Sequence, residues 1–165
     1  MGAIGRERAR SATARERGET SPESPSPPPR VSRLYSLAAV LSLAGLADAI
    51  YLTVEHLTGR SVRCTVTNGC SEVLSSPYAT IGGYPLALFG ALAYFTAFSL
   101  ATLAAFGSAR AGNLFAVLVA LMFAMSLWLV YLQAFVLHAF CQYCLLSAAI
   151  TTLLAVIVVV RRVTG

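Results

Sequence analysis

The chain has 165 residues, of which 57% are apolar and 12% charged, with a formal net charge of +5 and a mean hydropathy of +0.72. Soluble domains run near roughly 25% charged, so a water-soluble globule is excluded and an integral membrane protein is expected. All twelve basic residues are arginine, and acidic residues with no interleaved aromatics dilute the basic N-terminal stretch, which argues against nucleic acid as a partner.

Residues 1–32 hold five of the seven prolines and lack apolar periodicity. They are expected to be a disordered cytoplasmic tail. About thirty polar residues precede the first apolar run, which is unlike a signal peptide and makes that run an uncleaved anchor. Residues 33–165 then form one domain.

A bilayer-spanning helix needs about 20 mostly apolar residues. Four such spans follow, at residues 34–54, 85–106, 114–137 and 141–160. Pro85 suits the first turn of its helix, where its missing N–H would be unpaired anyway. Residues 107–112 form a turn between spans two and three, and three residues separate spans three and four. The long connection, residues 55–84, lies between spans one and two. The fold class is therefore all-α, a four-helix transmembrane bundle with one long loop.

The arginines give the orientation. With the N-terminus inside, ten arginines are cytoplasmic and two, Arg60 and Arg63, are outside. Positive residues favour the cytoplasmic side, so both termini are expected there and the long loop outside the cell (inner) membrane.

Cys64 and Cys70 lie in that loop as C-x5-C, and Cys141 and Cys144 form C-x-x-C where the fourth span begins. The topology read from arginines alone brings all four to the extracytoplasmic, oxidising face. Residues i and i+3 share a helix face, and a helix N-terminus favours the reactive thiolate. Asn68-Gly69 is a turn signal that gives the loop pair freedom to move. Two exchangeable pairs on one face can relay electrons by thiol–disulfide exchange. Two static disulfides bracing a non-catalytic scaffold are an alternative. A four-thiolate zinc site is disfavoured by spacing and compartment, so no metal is expected.

These residues resemble the vitamin K epoxide reductase family, in its bacterial members, a four-helix membrane family that couples disulfide formation to quinone reduction. The matching stretches are Asp48-Ala49-Ile50-Tyr51-Leu52-Thr53, Cys64 with Gly69-Cys70-Ser71-Glu72-Val73-Leu74-Ser75-Ser76, Gly83-Tyr84-Pro85-Leu86-Ala87-Leu88-Phe89-Gly90, and Cys141-Gln142-Tyr143-Cys144. Other four-span quinone-coupled oxidases carry C-x-x-C in the first outer loop, and here the order is reversed.

The resemblance implies that Cys64 meets a thioredoxin-like extracytoplasmic partner and that Cys70 shuttles to the helical pair. Cys141 would receive electrons and Cys144 would face the quinone, menaquinone or ubiquinone. Ser76 matches a serine near the quinone pocket. Ala148 stands where animal members have a substrate-binding tyrosine, and Leu86 near a binding asparagine, which argues against a vitamin K epoxide reductase proper. Phe89 and Tyr131 are further candidates for quinone contact, with Tyr84, Tyr143 and Trp128 sharing the alternative of an aromatic belt. Many relatives are fused to a thioredoxin-like domain. This chain stops at Gly165, so its partner is expected to be a separate protein.

Asp48 is the one formal charge inside a span, where a carboxylate is a functional hypothesis for proton delivery or a bland hydrogen-bonded group. His138 lies one turn before Cys141 and is a candidate for stabilising its thiolate, or an interfacial histidine without a role. Gly45, Gly82, Gly83 and Gly90 are expected to permit close approach of helices or loop.

Overall fold

The computed structural model describes residues 29–59, 64 and 69–164. The tail residues 1–28, the loop arginines Arg60 and Arg63, and Asn68 of the expected turn lie outside the described residues. Four long helices, α1 (Pro29–Leu57), α3 (Leu86–Ala105), α4 (Ala109–Phe135) and α5 (Gln142–Thr164), form the bundle. A short helix α2 (Cys70–Ser75), a 3-10 turn (Pro77–Ala79) and strands β1 (Thr80–Ile81) and β2 (Tyr84–Pro85) lie between α1 and α3. All four long helices are long and apolar enough to cross a membrane, and the chain is a multi-pass membrane protein.

Small residues set the packing. Ala97, Ala101 and Ala104 recur along one face of α3 and are buried, which lets α1 approach closely; these two helices share the most extensive contact. A Cβ at Gly45 of α1 would fall inside the ring of Tyr94. Tyr94 is 2% exposed, and its hydroxyl hydrogen-bonds Ser147 Oγ at 2.8 Å and Thr151 Oγ1 at 3.0 Å. One tyrosine thus ties α1, α3 and α5 together near mid-bundle.

At the end of the bundle where α1 begins and α5 ends, Arg161 Nη1 donates to the Gly112 carbonyl at 3.1 Å. Its guanidinium lies over the Tyr35 ring, 5.4 Å from the centroid. The cluster joins α1, α4 and α5.

Several boundaries differ from the sequence reading. The first helix begins at Pro29, so its opening turns draw on residues assigned to the tail; proline is tolerated in a first helical turn. Pro85 is not in the first turn of α3 but caps it, with extended backbone at ψ 135°, because it also pairs with Thr80. The turn between α3 and α4 shrinks to residues 106–108, since Ser108 Oγ accepts the Ala111 N–H and starts α4 there. The linker before α5 lengthens to residues 136–141.

The two-residue strands are a small departure from an all-α chain. Gly82 and Gly83 make the turn between them at φ +59° and +86°, angles that glycine adopts without strain. Nothing lies within 4 Å of a Cβ built on either. Backbone freedom, rather than the expected close approach, accounts for this pair.

Candidate active site

Cys64 and Cys70 form a disulfide with Cα atoms 5.7 Å apart. Cys70 opens α2 and is 1% exposed, while Cys64 is half-buried. Cys70 is packed in one cluster with Leu52, Val73, Ala139 and Cys141, with Cys64 and Cys144 against it. All four cysteines therefore gather at one end of the bundle.

The approach of loop to linker is through backbone. A Cβ at Gly69 would stand 2.7 Å from the Phe140 nitrogen and 2.9 Å from the Ala139 Cβ. Glycine is required there because any side chain would lift α2, and with it Cys70, off the segment that carries Cys141.

Cys141 precedes the first residue of α5 and is 0% exposed. Its sulfur accepts the Cys144 N–H at 3.4 Å, one turn into the helix. The Cys144 thiol donates to it, and with the Tyr143 and Cys144 backbone N–H groups holds the Cys141 thiol at about 7, below the ordinary 9.0, against the opposing effect of burial. Cys141 is thus substantially thiolate near neutral pH, the reactive form.

Cys144 faces an apolar cleft that is partly open to the surroundings. All four long helices and α2 contribute to its walls, with Leu52, Leu74, Leu129 and Leu132 among the apolar residues. Asp48, Ser76, Gln133 and Ser147 bring polar groups to it. Ligand sites commonly have mostly apolar walls and a few placed polar groups. The lining therefore fits a flat, weakly polar ring such as a quinone. One carboxyl oxygen of Asp48, Oδ2, is buried there without a hydrogen-bond partner.

The other sequence candidates are distributed unevenly. Ser76 is buried on the cleft and its hydroxyl donates to the Val73 carbonyl at 2.7 Å. Leu86 also lines it, supplying an apolar surface. Phe89 and Tyr131 are 44% and 51% exposed and fall outside the lining. Tyr131 stacks with Trp128 and packs at a tilt against Phe135 on the outer face of α4. Ala148, one residue past Ser147, is turned off the cleft by its helical phase. His138 is exposed, at φ +48° in the non-helical linker, so no helical turn stacks it beneath Cys141. Gly90 makes an ordinary approach, 3.8 Å from its built Cβ to Ala49.

Gln133 was not among the sequence candidates. It is 2% exposed, lines the cleft, and its Oε1 accepts the Cys141 N–H at 2.9 Å. An amide alone in the apolar second half of α4 was the available signal, since polar groups within a membrane span seek partners. Tyr94 gave no comparable signal, being one aromatic among many.

These two cysteine pairs stand in the order and setting expected from the resemblance. A model of the Vitamin K epoxide reductase family matches residues 36–159, and the chain belongs to that family of membrane oxidoreductases.

Proposed function

We propose that the protein carries electrons from a reduced thioredoxin-like extracytoplasmic partner to a membrane quinone, menaquinone or ubiquinone, and so supports disulfide formation. The observation that carries the reading is the burial of Cys70 and Cys141 in one cluster, with Cys144 on an apolar cleft. The arginine distribution supports a cell-membrane location with both termini cytoplasmic and the cysteines outside.

The partner's thiolate attacks Cys64, and Cys70 leaves as a thiolate. The partner's second thiol then closes its own disulfide and frees Cys64. Cys70 attacks Cys141 of an oxidised Cys141–Cys144 pair and expels Cys144. Cys64 attacks Cys70, which restores the loop disulfide and leaves the helical pair as a dithiol. Each step exchanges one S–S bond for another, and two electrons move per cycle. A bound quinone supplies the two-electron acceptor that returns the helical pair to a disulfide. Asp48, with its unpartnered carboxyl oxygen on the cleft, passes a proton for that reduction.

Removing the resolving thiol tests the relay. Cys64→Ala protein, with a protease site inserted in the α3–α4 turn, is cut and run on gels with and without reductant. A Cys70–Cys141 cross-link keeps the two fragments joined until reduction, and loss of either cysteine separates them. Fragments that part without reductant would indicate static pairs and a scaffold.

A further inference from the structure

We propose that Gln133 joins the redox pair to the cleft: its side-chain carbonyl fixes the backbone of Cys141, and its NH2 group donates a hydrogen bond to a quinone carbonyl oxygen. The inference rests on the quinone reading above and assigns this chain's own donor for that ligand.

The anchor is direct. Oε1 of Gln133 accepts from the Cys141 nitrogen at 2.9 Å, while the backbone carbonyl of Gln133 accepts the Ala139 N–H at 3.2 Å. One residue of α4 thus fastens the linker at two points, Ala139 and Cys141, and Cys141 begins the C-x-x-C. Cys141 in turn offers its carbonyl to the Leu145 N–H at 3.0 Å, so its N–H points back out of α5 and needs an acceptor elsewhere.

Chemistry fixes the orientation of the amide. A backbone N–H can meet only the oxygen of a carboxamide, so the NH2 group is the end that remains. Gln133 is 2% exposed and belongs to the cleft wall beside Leu129 and Leu132. A quinone presents carbonyl acceptors, and a cleft that desolvates them must supply donors. The Ser76 proton is already given to the Val73 carbonyl, and Ser147 Oγ is tied to Tyr94. Asp48, His56, Tyr78 and Ser126 also line the cleft, and Gln133 is distinguished from them by the hydrogen bond that fixes its amide against Cys141. The same amide therefore touches the backbone of one redox cysteine and the space that the other faces.

The test uses full-length protein in lipid nanodiscs, as wild type, Gln133→Met and Gln133→Glu. Menadione binding to the oxidised protein is followed by quenching of Trp128, the sole tryptophan. Separately, the pH at which reduced Cys141 is half-maximally alkylated by iodoacetamide is read by mass spectrometry.

Gln133→Met lacks the donor and weakens menadione binding about tenfold, the effect of one lost hydrogen bond. It also moves the Cys141 alkylation midpoint above the wild-type value. Gln133→Glu binds menadione like wild type while its carboxyl is protonated, since that form keeps one carbonyl and one O–H donor. Its affinity then falls with rising pH relative to wild type; Asp48, His56, Tyr78 and Cys144, the other titratable groups on the cleft, are common to both proteins. Binding by Gln133→Met within twofold of wild type, or a pH response of Gln133→Glu matching wild type, overturns the donor role. An unmoved alkylation midpoint overturns the anchor. If Gln133→Met does not fold, the pH response of Gln133→Glu decides alone. Wild-type protein that binds no menadione would instead count against the quinone reading, while the alkylation midpoint still decides the anchor.

Discussion

At the scale of single residues, the chemistry depends on Cys141 being charged. Its thiol is held at about 7 chiefly by the hydrogen bond from the Cys144 thiol. Below that pH the sulfur is protonated and its alkylation rate falls by about tenfold per pH unit; above it the rate levels off. Cys144→Ala removes the principal donor, so the midpoint for iodoacetamide labelling of Cys141 should rise towards the ordinary 9.0. An unchanged midpoint would mean that the backbone N–H groups alone hold the thiolate. Cys144→Ala should also abolish quinone reduction in a spectrophotometric assay while the loop disulfide persists. The four cysteines and Asp48 stand out in the sequence because polar or reactive residues are conspicuous in an apolar chain, and the structure gathers the cysteines at one end of the bundle. Gln133 was as conspicuous, but its meaning lay in a partner eight residues away across a non-helical linker, which helical spacing does not describe.

At the scale of elements, the four spans were readable from hydropathy, and their ends were not. A helix boundary is decided by who takes the orphaned N–H and C=O groups, and that depends on local partners such as Ser108 Oγ for Ala111. Hydropathy is blind to such caps, which is why α4 begins five residues before the apolar run at Leu114. Two glycines make the elements fit. Gly45→Ala would drive a methyl into Tyr94, and overpacking of this kind costs about 1–3 kcal/mol. Denaturant or thermal unfolding of the purified protein in detergent should report that loss, with Tyr94→Phe showing how much the Ser147 and Thr151 hydrogen bonds contribute separately. Gly69→Ala acts at the other junction. It should leave each cysteine pair able to oxidise on its own but slow exchange between them by about 10²-fold, as a displacement near 1 Å of reacting groups does. Stopped-flow mixing with a dithiol, quenched by acid, would measure it. Unaltered exchange would show that α2 already moves freely away from Ala139 and Phe140.

At the scale of the whole molecule, the arrangement of charge predicts its placement. A thiol reagent that cannot cross membranes should label reduced Cys64 from outside, and a cysteine at Arg110 only after permeabilisation. The opposite pattern would invert the topology and remove the relay with it. The two ends of the bundle are built differently. Opposite the cysteines, Arg161 clamps Gly112 and Tyr35 across three helices; at the cysteine end, α1 and α3 are joined through a short helix and a hairpin. Burial at that second end acts as insulation. An attacking thiolate must lie in line with the S–S bond it opens, and with Cys70 at 1% and Cys141 at 0% exposure neither presents that line to a thiol as bulky as a peptide. Among the described cysteines, half-buried Cys64 and Cys144 remain, and Cys144 looks into the apolar cleft. In the proposed relay, a peptide thiol such as glutathione would meet a closed circuit everywhere but Cys64, where a protein partner would press on the loop and hold its own thiol in line. Bystander thiols would in that relay be kept from draining a quinone pool, and oxidising power would be spent on dithiols that dock.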